Sequence, residues 1–409
     1  MTGRRILFIG LNYAPEPIGI GPYSAGLAEA LVERGHTVRA VVAQPYYPEW
    51  KPYPDFGRRW QQSVENGVQI TRCPHYIPAN PTGSRRMAHH ASFATSAYPA
   101  ARRARRELAP EVVFTVVPSM IAAPVALRMA RRAGVPLWMH VQDFEVGAAL
   151  ATGLIGAKSR TAEAAARFED RMLRSADLVS TISGPMCDLL SGKGLAADRI
   201  LEMRNWANHA DAIDGADPAH FRREWQLDGK TVALYSGNIA NKQGLEVVID
   251  AARLLEHRRD IVFVVCGEGP NRARLEERAR GLANIVFHDL QPEERMGDLL
   301  ALADIHLLPQ LRGAADLVLP SKLGNMLASG RPIIATVGPG TGIARELVNC
   351  GIVVPPEVPQ AIATSIEALS AHPEYRVKMG DAARQRAAEA WSRASVVDRF
   401  EEGLVRLLG

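Results

Sequence analysis

Two carboxylates and an imidazole fall within six residues in His140-Val141-Gln142-Asp143-Phe144-Glu145, at the end of an apolar run. Such a group can move protons or offset charge in a transition state. Asp143 is the first candidate for a general base or an electrostatic partner, with Glu145 and His140 behind it. Each has a plainer reading, His140 as a hydrogen-bonded core histidine and Asp143 as the cap of a following helix. A second set of residues suits an anion. Gly19-Ile20-Gly21 and Gly267-Glu268-Gly269 sit in loops after apolar runs, where backbone N–H groups can face a phosphate with no side chain in the way, or where glycine merely makes a tight turn. Lys242, in Asn241-Lys242-Gln243-Gly244, and Lys322, in Pro320-Ser321-Lys322, stand near strand ends. Either could neutralise a diphosphate leaving group or lie solvated on the surface.

Neither glycine cluster completes a dinucleotide fingerprint, because Ser24 and Arg272 stand where the third glycine belongs. Gly192-Lys193 is no P-loop, since Cys187 occupies the position five residues before Gly192 and Gly194 follows the lysine. A nicotinamide dehydrogenase would also want an acid after its second strand, where Gln44 and Pro45 stand. No Asp-x-Asp pair occurs, so a metal-clamped diphosphate is not supported, no metal is expected, and lysines and helix ends must carry the phosphate charge.

The elements that position these residues alternate. Arg5 to Ile9 reads as a strand buried on both faces of a parallel sheet, Leu27 and Leu31 lie on one face of a helix that ends before Gly35, and Val38 to Val42 is the next strand. Further strands are expected at Val68 to Arg72, Val112 to Val116, Leu137 to Val141 and Leu178 to Ile182. A polar stretch from Asn208 to Pro218 interrupts the series. A second series follows at Val232 to Ser236, Ile261 to Cys266, Asn284 to Phe287, Ile305 to Leu308, Pro332 to Thr336 and Ile352 to Val354, with helices at Arg376 to Ala390 and Val396 to Leu408. Strands separated by helices predict α/β architecture, two doubly wound parallel-sheet domains of Rossmann type with a cleft at the carboxyl ends of their strands. The expected division is 1–205, 206–385, and a terminal helix over 386–409 that packs back on the first domain.

A chain of 409 residues, 47% apolar and 22% charged, is long enough for two such cores. The four cysteines, Cys73, Cys187, Cys266 and Cys350, have no ligand spacing and fit a reducing compartment. The apolar residues before Asn12 are too few for a signal peptide. The stretch from Val112 to Leu127 is broken by Pro118 and Pro124 and is shorter than the roughly 20 residues a spanning helix needs. A cytoplasmic protein is expected.

Several segments in register carry a resemblance: Tyr235-Ser236-Gly237-Asn238 with Lys242-Gln243-Gly244, Cys266-Gly267-Glu268-Gly269-Pro270, Leu319-Pro320-Ser321-Lys322 and Ala328-Ser329-Gly330-Arg331-Pro332. In this order and spacing the chain resembles the donor domain of family 4 glycosyltransferases, which have the GT-B fold. Asn12-Tyr13-Ala14-Pro15-Glu16, Gly19 to Ser24, Pro45-Tyr46-Tyr47-Pro48 and Gln142 to Glu145 extend the resemblance over nearly the whole chain. It implies a retaining transfer, without an enzyme nucleophile, of a fucose- or N-acetylfucosamine-like hexose from a nucleoside diphosphate sugar during exopolysaccharide or O-antigen synthesis. Epimerisation or hydrolysis of a sugar nucleotide, and non-catalytic binding, are the alternatives.

The resemblance also implies site roles. Asn238 and Lys242 lie at the donor phosphates, where many members have Arg and Lys, so the neutral amide of Asn238 shifts charge onto Lys242 and Lys322. Ser236, Gly237, Gly267, Glu268 and Ser321 complete the donor loops, together with Gly19 and Gly21. The family's paired glutamates fall on Asn325 and near Asp316 or Leu317, which makes Asp316 the candidate for sugar hydroxyls and Asn325 for the ribose. His288 to Pro292, with Leu290, occupies the nucleobase position, and UDP is favoured over GDP.

Between Arg85 and Arg132 nine arginines face only Glu107 and Glu111, although the whole chain carries a net charge of +4. Arg85, Arg86, Arg102, Arg103, Arg105 and Arg106, interleaved with Met87, Phe93 and Tyr98, read either as a solvated helix face or as a surface for anionic lipid and a polyprenyl-diphosphate-linked acceptor. The second reading places the protein peripherally on the inner face of a bacterial plasma membrane. Nucleic acid is not expected, because aromatic stacking positions are few.

Overall fold

A computed structural model describes residues 3–57, 59–144, 160–240, 243–312 and 319–409. The chain divides into two compact units, Met1–Met203 with Val397–Gly409, and Arg204–Val396.

The first unit is built on eight strands in the order β3-β4-β2-β1-β5-β6-β7-β8. They are β1 (Arg5–Gly10), β2 (Thr37–Ala43), β3 (Gln61–Glu65), β4 (Val68–Cys73), β5 (Val112–Val117), β6 (Leu137–Val141), β7 (Leu178–Thr181) and β8 (Ile200–Glu202). All neighbours are parallel except β3, which runs antiparallel to β4 at the edge. β5 and β6 are buried at every residue, as continuous apolar runs in a doubly covered parallel sheet must be. β3 and β8 escape the sequence reading for opposite reasons: Gln61-Gln62-Ser63-Val64-Glu65 is an exposed polar edge, and β8 is three residues long.

The second unit holds six parallel strands in the order β11-β10-β9-β12-β13-β14. These are β9 (Thr231–Ser236), β10 (Ile261–Cys266), β11 (Ile285–His288), β12 (Ile305–Pro309), β13 (Ile333–Thr336) and β14 (Gly351–Val354). All six match the strands expected from the sequence. The order is doubly wound, with its reversal between β9 and β12, and the first sheet reverses likewise between β1 and β5. Loops after β1 and β9 therefore border the crevices in which open α/β sheets hold ligands.

The polar stretch expected as a linker contains a short helix, Ala210–Asp214. The terminal return also differs from expectation. The helix Pro373–Ala390 lies wholly in the second unit, and only the chain from Val397 joins the first. There Phe400 stacks on Trp138 at 4.3 Å, and Gly403 fits against the same indole, which a Cβ would approach to 2.3 Å. Arg34 holds this segment through Asp398 at 2.8 Å and Glu401 at 3.0 Å.

Candidate functional site

In the second unit the glycines make an interlocked pair of turns. Gly267 has φ +154° and Gly269 φ +157°, and a Cβ on either would lie 1.9 Å from the Gly237 carbonyl or 2.3 Å from that of Ile239. Only glycine allows this approach. The turns are joined by backbone bonds from Gly237 N–H to Cys266 O (3.0 Å) and from Ile239 N–H to Glu268 O (2.7 Å). They carry Ser236, which is buried, and Asn238, which is exposed, to the carboxyl end of β9.

Lys322 arrives from the start of the Ser321–Ala328 helix, whose N-terminus has no side-chain cap. Its Nζ lies 4.0 Å from the centroid of the Tyr235 ring and at the edge of the Gly237 turn, where a Cβ would meet it at 3.8 Å. Tyr235 is fully buried and donates its hydroxyl to the Asn238 carbonyl at 2.6 Å. One aromatic residue thus holds both the cation and the glycine turn, through cation–π attraction and a hydrogen bond. A cation and a glycine turn gathered at the strand-order reversal have the chemistry to attract a small anion.

Of the other expected donor residues, Glu268 is exposed and turned to Arg272 (2.5 Å), which also reaches Asp289 at 2.7 Å and the Gly267 carbonyl at 3.2 Å. Arg272, the residue that breaks the dinucleotide fingerprint, therefore ties the β10 turn to the loop after β11, where Leu290 is exposed. Asn325 accepts the His209 N–H on Oδ1 at 3.2 Å. That bond leaves the Asn325 Nδ2 donors as the groups suited to a ribose hydroxyl. Ser321 is exposed at the helix start. Lys242 and Asp316 lie outside the described residues.

In the first unit, Asp143 is exposed just beyond β6, between buried Gln142 and Phe144, and Glu145 lies outside the described residues. His140 is corrected: it is buried in the core, and burial pushes its pKa down to about 3. Nε2 meets the Gln142 amide at 2.9 Å and Nδ1 the Ser180 hydroxyl at 2.8 Å, the hydroxyl that also accepts from Trp138 Nε1. A neutral ring with Nδ1–H donating and Nε2 accepting satisfies both bonds. The imidazole braces the strand end behind Asp143 and does not face solvent as a base.

Gly19, at φ +76°, lies against Tyr47, and Gly21 opens the Gly21–Glu33 helix so close to Glu16 that a Cβ would come within 2.9 Å of that side chain. Glu16 and Tyr235 stand in the segments that carry the family resemblance, but neither was assigned a role from the sequence. An aromatic residue ending a buried aliphatic strand, and an acid between prolines before a glycine turn, were the available signals.

The Gly83–Leu108 helix buries His89, Phe93, Ala97, Ala101, Ala104 and Leu108 on one stripe. Phe93 is therefore a core residue, which corrects its place among apolar groups free to meet lipid. Arg103 pairs with Glu107 at 2.6 Å, and Arg105 bonds the Arg132 carbonyl at 3.2 Å, while Arg102 and Arg106 are exposed. Arg85 and Arg86 bond the carbonyls of Asn80 and Pro81 beside Met87, which is 61% exposed. Among the described residues no cluster of ligating side chains could hold a metal, and no helix is long and apolar enough to cross a membrane.

Comparison with known proteins bears on the same two halves. Residues 19–206 match the glycosyl transferase 4-like domain and residues 218–386 the glycosyl transferases group 1 domain. The chain is 36% identical to the colanic acid biosynthesis glycosyl transferase WcaI of Escherichia coli K12, across 97% of this chain and 98% of that one. It is 29% identical to alpha-D-kanosaminyltransferase of Streptomyces kanamyceticus, across 75% and 80%. Among solved structures, Anabaena HepE in complex with UDP superposes with a TM-score of 0.67 at 15% identity, covering 98% of this chain and all of that one. Two doubly wound units with a glycine-and-lysine site at a strand-order reversal, matched along nearly the full length of WcaI, make this chain a family 4 glycosyltransferase of GT-B fold.

Proposed function

We propose that the chain is a retaining, metal-independent transferase that takes a hexose, fucose-like or N-acetylfucosamine-like, from a nucleoside diphosphate donor and passes it to a polyprenyl-diphosphate-linked saccharide. The work falls in assembly of a cell-surface polysaccharide, a reading supported by the relative named for colanic acid biosynthesis. UDP is favoured over GDP, in line with the UDP complex of HepE.

The observation that carries this reading is Lys322 held over Tyr235 beside the Gly237, Gly267 and Gly269 turns. A fixed cation there offsets the charge that grows on the diphosphate as the glycosidic bond breaks, the kind of preorganised contact that dominates transition-state stabilisation. The acceptor hydroxyl attacks from the face the diphosphate leaves, and a diphosphate oxygen takes its proton, so no enzyme nucleophile forms. Asp143, exposed at the end of β6 in the first unit, is a carboxylate able to offset positive charge. The exposed arginines and Met87 of the Gly83–Leu108 helix would hold the first unit to anionic lipid on the cytoplasmic face, within reach of a lipid-linked acceptor.

The test is a panel of UDP- and GDP-sugars with a polyprenyl-diphosphate saccharide, with and without EDTA, the product read by mass and anomeric configuration. One UDP-sugar should be transferred with retention, and EDTA should leave the rate within twofold. Inversion, a loss restored only by Mn²⁺ or Mg²⁺, or donor conversion that ignores the acceptor would each overturn the proposal.

A further inference from the structure

Glu16 is 2% exposed in the loop between β1 and the Gly21–Glu33 helix. One carboxylate oxygen, Oε1, accepts the backbone N–H groups of Tyr46 (3.1 Å) and Tyr47 (3.2 Å), and Oε2 accepts Asn12 Nδ2 at 2.9 Å. Asn12 Nδ2 also lies 3.3 Å from the Tyr46 hydroxyl. Tyr46 in turn packs edge-on against Trp50, His75 and His89, at centroid distances of 5.2, 5.4 and 4.6 Å. The carboxyl group therefore ties together loops from the carboxyl ends of β1 and β2, and through Tyr46 the chain after β4.

Gly21 and Gly19 rest on this assembly, Gly21 against Glu16 and Gly19 against Tyr47. The turn that opens the first helix is set by where Glu16 holds the Tyr46–Tyr47 segment. Among the described residues no cation pairs with Glu16. The charged and titratable groups that act on it or on its partners are Glu49, Tyr46, Tyr47 and Tyr53 from the segment after β2, His75 from the chain after β4, and His89 and Arg86 from the Gly83–Leu108 helix, the last three through Tyr46. A buried carboxylate with hydrogen bonds but no countercharge is expensive to keep, and a neutral amide would fill the same space.

We infer that ionised Glu16 is a positioning residue of the transferase site, clamping the Gly19–Gly21 turn against the Tyr46–Tyr47 segment, and that its protonation loosens the clamp. The inference rests on the reading above that the Gly19–Gly21 turn borders the reactants. Ionised, the group accepts all three bonds. Protonated, one oxygen becomes a donor facing a donor, and one bond is lost. Burial raises the pKa of Glu16 to about 7, so the change falls near neutrality.

The test compares wild type, Glu16→Gln and Glu16→Asp by steady-state transfer from the working nucleotide sugar at pH 6 to 9, and by thermal unfolding without substrate at pH 6 and 8. The wild-type kcat should rise through a limb near pH 7. In Glu16→Gln the limb should vanish and kcat at pH 8 fall about tenfold, with donor KM within threefold, the size expected for one misplaced contact. The unfolding midpoint of Glu16→Gln at pH 8 should equal or exceed that of wild type, because the amide escapes the cost of burying a charge. Glu16→Asp keeps the carboxylate and should keep the limb at a lower rate, which covers the case in which the amide variant fails to fold. A Glu16→Gln enzyme with an intact limb, or one that loses stability and activity in parallel at every pH, would overturn the inference and leave Glu16 a loop-packing residue. If no nucleotide sugar reacts, or Lys322→Ala is as active as wild type, the site reading fails instead. The unfolding comparison still judges Glu16 in that case, because it needs no substrate.

Discussion

The loops after β1 and after β9 occupy the same place in two sheets of the same winding, yet they are built from opposite charges. After β9 the chain presents glycines and a lysine: Gly237, Gly267 and Gly269 bring backbone within van der Waals limits of backbone, and Lys322 is seated on a buried aromatic ring. After β1 it presents a buried carboxylate, Glu16, among tyrosines, with Asp143 exposed at the end of β6. Winding makes a crevice in each unit, but the side chains decide what each crevice admits. A cationic, glycine-lined turn suits a diphosphate. A carboxylate-and-aromatic loop suits a neutral saccharide.

The contrast breaks first at Lys322. Replacing it by Ala should lower transfer by about 10²-fold or more while circular dichroism and the unfolding midpoint stay at wild-type values, because the ammonium acts on the leaving group and not on a core. Activity within threefold of wild type would remove the cation from the second unit's side of the comparison.

A second difference is thermodynamic. In the first unit, burial pushes His75 and His140 down to about 3, and His89 and His90 to about 4, whereas the second unit has His306 at about 3, with the half-buried His209 and His288 also lowered. Their pKa values are depressed on folding, so their stability is fully present above the ordinary value near 6.5 and is lost as pH falls below it, each ring forfeiting on the order of 2 kcal/mol by pH 4.5. Glu16 works the other way, since its raised pKa adds stability as pH falls from about 7, but one carboxyl does not offset four rings. Hydrogen exchange at pH 4.5 to 5 should show peptides of the first unit opening before those of the second. Simultaneous opening would mean that the two units do not differ in this way.

The lipid-binding surface proposed above lies in the first unit. Arg85→Ser with Arg86→Ser should weaken binding to phosphatidylserine-containing vesicles roughly 30-fold at low salt, at about 1 kcal/mol for each basic residue. Arg103→Ser with Arg105→Ser should do less, because the Glu107 carboxylate already offsets the charge of Arg103. Equal co-sedimentation of all variants would leave the arginines a solvated face. The smallest effect is expected at Tyr235→Phe, which keeps the ring under Lys322 and loses only the bond to the Asn238 carbonyl. At about 1 kcal/mol for such a bond, kcat/KM should fall roughly fivefold. A drop as large as that of Lys322→Ala would show that the hydroxyl, and not the cation, organises the turn.

By itself the sequence determined most strands of both sheets, because continuous apolar strands and the helices between them are local patterns that survive without tertiary knowledge. It also picked out Lys322, in Pro320-Ser321-Lys322 before a helix, and the glycines of the β9 and β10 turns, because each turn directly follows an apolar strand. Strand β3 was hidden because a polar edge strand has no apolar period, and it forms only where β4 offers a partner. Other outcomes were decided only when the chain folded. His140 and Phe93 look functional in a string of letters, yet the sheet and the Gly83–Leu108 helix turn both inward, where burial keeps His140 neutral. Glu16 and Tyr235 look ordinary in the same string, and they gain roles because residues 30 positions away, or on another helix, supply their partners. Burial and long-range hydrogen bonding are properties of the packed chain, so no reading of local pattern could assign them.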